Sequence, residues 1–129
     1  DALAILETYN LSAQGGSASG GKSPLRGDFH FFAGSWEEAR EILDAGFYLS
    51  FTGVLTFART YDEVVKNAPL DRIMSETDSP YVAPVPYRGK QNEPSFVTHT
   101  AAKLAEILGV EKGEVERVTT ENSRKVLNI

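Results

Sequence analysis

Two carboxylates one residue apart, Glu76 and Asp78, follow a short apolar run (Ile73, Met74) and lead into a proline-rich segment carrying Arg88, Lys90 and Asn92. Carboxylate oxygens are hard donors that hold Mg2+, Mn2+ or Zn2+, and a carboxylate beside a bound water can accept its proton. Asp78, read at a strand end, suits both tasks and is the candidate catalytic residue. Arg88 is the candidate to grip a phosphate through two parallel hydrogen bonds, with Lys90 as a weaker point charge. Asn92 is a candidate substrate contact, although Asn92 and Glu93 could equally tie the loop down. Tyr81 and Tyr87 could stack on a base or cover the mouth of a site. His30 sits among aromatics in Asp28-Phe29-His30-Phe31-Phe32; taken alone, such a histidine is more often a core residue than a ligand. Together these types could hold a divalent metal and grip an anion.

The elements that must position them alternate helix and strand. Alternation along a strand would set Glu76 and Asp78 on one face and Thr77 on the other. The prolines after Asp78 cannot continue a central strand, so a functional loop opens there. Upstream, Asp28–Phe32 reads as a strand, with Asp28, His30 and Phe32 on one face and Phe29 and Phe31 on the other. Ser35 and Glu38 form a capping box for a helix to about Ala45, with Trp36, Ala39, Ile42 and Leu43 inward and Gly46 as its stop. Phe47–Phe51 is the next strand. Thr60 and Glu63 repeat the capping pattern ahead of a helix through about Asn67, which Pro69 ends. Ser95–Leu108 is the strongest helix, closed by Gly109, with His99 off its apolar stripe and expected at the solvated surface. Glu111–Val118 reads as a short helix, and Thr119 starts the last one. This rhythm is that of parallel βα units.

The start of the chain is different in kind. Asp1–Tyr9 has the spacing of a helix, and residues 11–27 are Gly/Ser-rich with almost no apolar content, a flexible loop. Its glycines match neither phosphate-cradle spacing.

The chain has 129 residues, a net charge of −5 and no cysteine, so disulfides, thiolate metal sites and a cysteine nucleophile are excluded. The acidic balance argues against a non-specific nucleic-acid binder, which meets phosphate with cations, but a nuclease that meets phosphate through metal ions can be acidic. No apolar run is long enough to span a membrane, and cytoplasm is the default expectation.

The block Glu76-Thr77-Asp78-Ser79-Pro80-Tyr81, followed by Ala83-Pro84-Val85-Pro86-Tyr87-Arg88-Gly89-Lys90-Gln91-Asn92-Glu93-Pro94, closely resembles the signature of the TatD-like metal-dependent nucleases. Residues 34–57 resemble the same family nearly throughout, and the Asp28–Gly34 stretch resembles its strand with a metal-ligand histidine, with Phe31 where Cys is usual and Ala33 where Ser or Thr is usual. The resemblance implies a TIM-type (β/α)8 barrel related to the amidohydrolases. It implies His30 and Asp78 as metal ligands, Glu76 behind them, and two divalent ions in the intact enzyme. Such a barrel needs about 250 residues, so the expectation is an α/β fold of parallel βα units corresponding to the C-terminal half, with the N-terminal strands and their ligands missing. The implied activity is that of a DNase, a 3′-to-5′ exonuclease on single-stranded DNA or RNA, with this chain inactive alone. A D-aminoacyl-tRNA deacylase or another ester or amide hydrolase is the alternative on the same scaffold. A non-catalytic fragment that pairs with a partner, a second copy or the missing half is a third, because half a barrel leaves two sheet edges open.

Overall fold

The computed structural model describes residues 26–129. The expected helix at Asp1–Tyr9 and nearly all of the 11–27 loop lie outside the described residues. Three strands, β1 (Asp28–Phe29), β2 (Tyr48–Phe51) and β3 (Ile73–Ser75), form a parallel sheet in the order β1-β2-β3. Parallel neighbours need a crossover, and helices supply it: α1 (Trp36–Asp44) between β1 and β2, and α2 (Asp62–Asn67) between β2 and β3. Two longer helices come after the sheet, α3 (Val97–Leu108) and α4 (Lys112–Leu127), which pack on each other. The expected α/β architecture of parallel βα units is present.

The register explains the two faces of the sheet. Asp28 lies beside Tyr48, Leu49 beside Ile73, and Ser50 beside Met74. Leu49, Phe51 and Ile73 enter one core with Ala39 and Ile42 of α1, Val64 and Val65 of α2, Leu104 of α3 and Val115 of α4. The alternate positions Asp28, Ser50 and Glu76 share the opposite, polar face, where Ser50 is buried and touches both carboxylates.

Local signals act as their chemistry predicts in most places. Ser35 Oγ accepts from the Glu38 amide, and the Glu38 carboxylate accepts from the Ser35 amide at 2.7 Å, so the capping box is complete. Gly46, one residue beyond the Ala45 that closes α1, and Gly109, directly after α3, have φ of +91° and +68°, a left-handed conformation that favours glycine.

Four expectations are corrected. Thr60 caps nothing: it lies in a 3₁₀ turn, Arg59–Tyr61, and α2 begins at Asp62 with no side-chain cap. Arg59 instead bonds Asp62 Oδ2 across the join at 3.1 Å. Residues 112–127 are one helix, not two, because Thr119 and Thr120 bond backward to the carbonyls of Val115 (2.8 Å) and Glu116 (2.7 Å) rather than capping a new start. His99 is half-buried and meets Tyr87 and Phe96 edge-on, and those two rings stack at 4.1 Å. Such a pair contributes about 0.5–1.5 kcal/mol beyond its buried area, which anchors the start of α3 to the proline-rich loop.

The alternation expected through Phe32 also fails. β1 ends at Phe29, and Phe31 has φ of +51°. That turn sends Phe32 into the core against Phe51, while His30 stays on the open side.

Candidate metal centre

All three strands run the same way, so the loops at their C-terminal ends leave the sheet together. His30 lies just past β1, Thr52–Phe57 past β2, and Glu76 to Arg88 past β3. Parallel α/β folds keep their chemistry at this end.

His30 is the meeting point. Its Nδ1 contacts Glu76 Oε2, and its Nε2 lies 3.5 Å from Asp78 Oδ1. Glu76 already accepts at Oε1 from the Phe31 amide (2.7 Å) and from the Ser50 hydroxyl (2.6 Å). A neutral imidazole with its proton on Nδ1 would donate to Glu76 and leave the Nε2 lone pair for a cation held between it and Asp78. Glu76 therefore orients the ring from behind, the arrangement that fixes the tautomer of a metal-binding histidine.

The route by which the two carboxylates converge differs from strand alternation. β3 stops at Ser75; the Glu76 amide makes one further bond, to Phe51 O at 3.0 Å. Asp78 then adopts φ of +59°. A left-handed conformation costs a non-glycine residue roughly 1–3 kcal/mol and persists only where surroundings enforce it. Here Thr77 Oγ1 accepts from the Ser79 amide and hydroxyl, and the Tyr81 amide bonds Asp78 O at 2.9 Å.

Asn92 completes that enforcement. It is buried, and its Nδ2 donates to Thr77 O at 2.7 Å and Tyr81 O at 2.6 Å, on either side of Asp78. Its Oδ1 accepts from the Glu93 amide, and its own amide bonds Pro80 O. Every polar group of the side chain is engaged, so of the two roles open to Asn92 the contacts fit the loop tie and not the substrate contact: Asn92 clamps the loop that carries Asp78.

Arg88 and Lys90 are exposed on the same loop. The Arg88 guanidinium lies 3.8 Å above the Phe57 ring and donates from Nη1 to Ala83 O at 3.1 Å. Lys90 Nζ stands 5.9 Å over the Tyr87 ring. Tyr81 is 68% exposed, whereas Tyr87 is held in its stack with Phe96.

The donor set fits a divalent ion. Metal–nitrogen and metal–oxygen bonds of about 2.0–2.2 Å place two ligands of one ion roughly 3–3.5 Å apart, and Nε2 and Oδ1 stand at 3.5 Å. Among the described residues no group of three or more His, Cys, Asp or Glu side chains is arranged to hold a metal, so His30 and Asp78 by themselves do not complete a coordination shell.

Sequence reasoning passed over Ser50, whose hydroxyl lies 2.9 Å from Asp28 Oδ2 and 2.6 Å from Glu76 Oε1 with one proton to donate between them. Its signal was a single polar residue alternating with Leu49 and Phe51 in a buried strand.

The family model for TatD-related DNases matches residues 2–128. The chain belongs to the TatD-related DNase family. The metal-dependent hydrolase YcfH of Escherichia coli K12 is 40% identical over 131 residues, covering 100% of this chain and 45% of the relative. The metal-dependent hydrolase YabD of Bacillus subtilis is 44% identical over 111 residues, covering 84% and 44%. Among solved structures, the TatD homologue YjjV of E. coli K12 superposes with a TM-score of 0.80 at 22% identity, over 98% of this chain and 45% of that one. A TatD-family hydrolase from Entamoeba histolytica gives 0.70 at 24% identity, over 78% and 42%. These likenesses fit the C-terminal part of the TatD fold, and the chain spans about 45% of the length of the curated relative YcfH. Both curated relatives bear the name metal-dependent hydrolase. No helix among the described residues is long and apolar enough to cross a membrane.

Proposed function

We propose that this chain supplies His30 and Asp78 as ligands to a divalent ion in a TatD-family phosphodiesterase acting on single-stranded DNA or RNA, an exonuclease of 3′-to-5′ polarity. The observation that carries the reading is the 3.5 Å approach of His30 Nε2 to Asp78 Oδ1, with Glu76 bound to the far side of the ring. A bound Mg2+, Mn2+ or Zn2+ would polarise the phosphodiester and lower the pKa of water. In this reading Asp78 both binds the ion and accepts a proton from the attacking water. Glu76 holds the His30 ring, Ser50 and the Phe31 amide hold Glu76, and Arg88 with Lys90 meets phosphate at the rim.

Two donors leave a shell open, so the remaining ligands, and a second ion, belong in this proposal to strands outside these residues, the N-terminal half of a barrel. The chain alone would then be inactive, and the cytoplasm is the compartment this reading fits. The test offers the intact protein that carries these residues an end-labelled single-stranded oligonucleotide and, separately, a D-aminoacyl ester. Chelator-sensitive shortening of the oligonucleotide from its 3′ end is the expected result. Ester hydrolysis without oligonucleotide cleavage would move the assignment to a deacylase. Loss of neither substrate would leave a binding fragment.

A further inference from the structure

Three of the large apolar side chains that stand exposed among the described residues, Phe57, Tyr81 and Val85, lie on the loops that carry the candidate metal centre. Phe57 has a specific partner. It comes at the end of the 3₁₀ turn Gly53–Thr56 after β2, is 43% exposed, and carries the Arg88 guanidinium at 3.8 Å from its ring centroid.

The two loops are locked together beneath this pair. Thr56 Oγ1 accepts from the Val85 amide at 2.9 Å. A Cβ placed on Gly53 would stand 2.9 Å from Val82 O and 3.0 Å from Pro84 Cβ, so only glycine permits the approach. The loop after β3 is therefore seated on the loop after β2, and Arg88 is held from two directions, by the Phe57 ring and by Ala83 O at Nη1. Among the described residues Nε and Nη2 have no hydrogen-bond partner and can meet an anion, and a planar guanidinium binds phosphate best when its plane is already set.

We infer that Phe57 is a positioning residue: its ring fixes the Arg88 guanidinium at the rim so that Nε and Nη2 meet a phosphate of a single-stranded polynucleotide. This rests on the phosphodiesterase function proposed for the metal centre. An unsupported arginine would have to order its long side chain on binding, and the ring removes part of that cost.

The test is an NMR titration of the full chain, in chelator so that nothing is cleaved, with single-stranded tetrathymidylate as the probe and the Arg88 Nε–Hε signal as the reporter. The wild-type signal is expected to shift saturably, and Phe57→Tyr, which keeps the ring face, should behave alike. Phe57→Leu should bind about fivefold more weakly, and its slope of log K against log salt should fall by about 0.7, the share of one phosphate contact on a single strand. On an Arg88→Met background Phe57→Leu should do nothing more. Phe57→Met serves in its place if the amide spectrum of the leucine variant shows a disturbed fold. A shifting Arg88 signal with unchanged affinity and salt slope in Phe57→Leu would overturn the positioning role and leave the phosphate role of Arg88 standing. So would an added loss on the Arg88→Met background. An Arg88 signal that ignores the probe in the wild type would overturn the phosphate role itself, and this inference with it.

Discussion

Asn92 and Asn122 clasp opposite ends of one strand in the same way. Asn122 Nδ2 donates to Leu70 O (3.0 Å) and Ile73 O (2.8 Å) where β3 begins, and Asn92 Nδ2 donates to Thr77 O and Tyr81 O just past its end. β3 has three residues, too few for its own ladder to fix the path of residues 76–81. The two amides supply what the ladder lacks. Each comes from a distant helix or loop, and together they set the strand whose continuation carries Glu76 and Asp78.

The clasps separate in their effects. Replacing Asn92 by Ala strips donors from two carbonyls, a loss of about 2–4 kcal/mol at roughly 1–2 kcal/mol each, measurable by urea unfolding. It should also weaken divalent-metal binding, because the left-handed Asp78 then loses the clamp on either side of it. Asn92→Asp, which cannot donate, should be no better.

Asn122 is fully buried, and its Oδ1 finds no partner among the described residues, so its value lies in its two donors. Asn122→Ala should cost a similar amount of stability. Under conditions where it remains folded, its metal affinity should stay near wild type, which titration calorimetry would show. A metal defect as large as that of Asn92→Ala would argue against this division of roles.

Glu76→Gln keeps the shape and removes the charge behind His30. Loss of such an outer partner typically weakens metal binding by about 10- to 100-fold, and the same order is expected here. Ser50→Ala should act on the same assembly by leaving Asp28 and Glu76 without their shared hydroxyl, at a cost of about 1–3 kcal/mol in stability. Paired calorimetry and chemical denaturation would measure both.

Gly53→Ala tests the seating of the two loops. Its new Cβ would stand closer to Val82 O and Pro84 than packed atoms tolerate, so a loss of about 1–3 kcal/mol is expected. Gly46→Ala should be gentler in its contacts, since nothing lies within 4 Å of the added carbon, and its cost would be that of φ alone.

Features legible in the sequence were local or carried by a long motif. The Ser35–Glu38 box and the glycine stops after α1 and α3 are decided by a few neighbouring residues, and they form as expected. The alternation of helix and strand pointed to the parallel sheet, and the resemblance of two separate stretches grouped His30 with Glu76 and Asp78, whose side chains do meet. Where prediction failed, a distant partner had changed the local conformation. Phe31 and Asp78 take positive φ because Glu76 holds the Phe31 amide and Asn92 clamps the Asp78 turn. No spacing rule announces a hydrogen bond between residues 45 apart. Thr119 could have capped a helix as well as bonded backward within one, and only the packing of α4 on β3 decides between them. His99 reads as a surface residue on helical periodicity alone; its aromatic neighbours come from a loop that periodicity does not see.

The central claim is that His30 and Asp78 bind one divalent ion through Nε2 and Oδ1. The chain has two histidines, His30 and His99, so the most direct measurement is an imidazole 15N spectrum of histidine-labelled protein with small additions of Mn2+. Paramagnetic broadening works even where binding is weak, as an incomplete shell would make it. The account predicts selective broadening at His30 Nε2, little at His99, and loss of the effect in Asp78→Asn. Equal broadening of the two rings, or a His30 signal that survives saturating Mn2+, would contradict it.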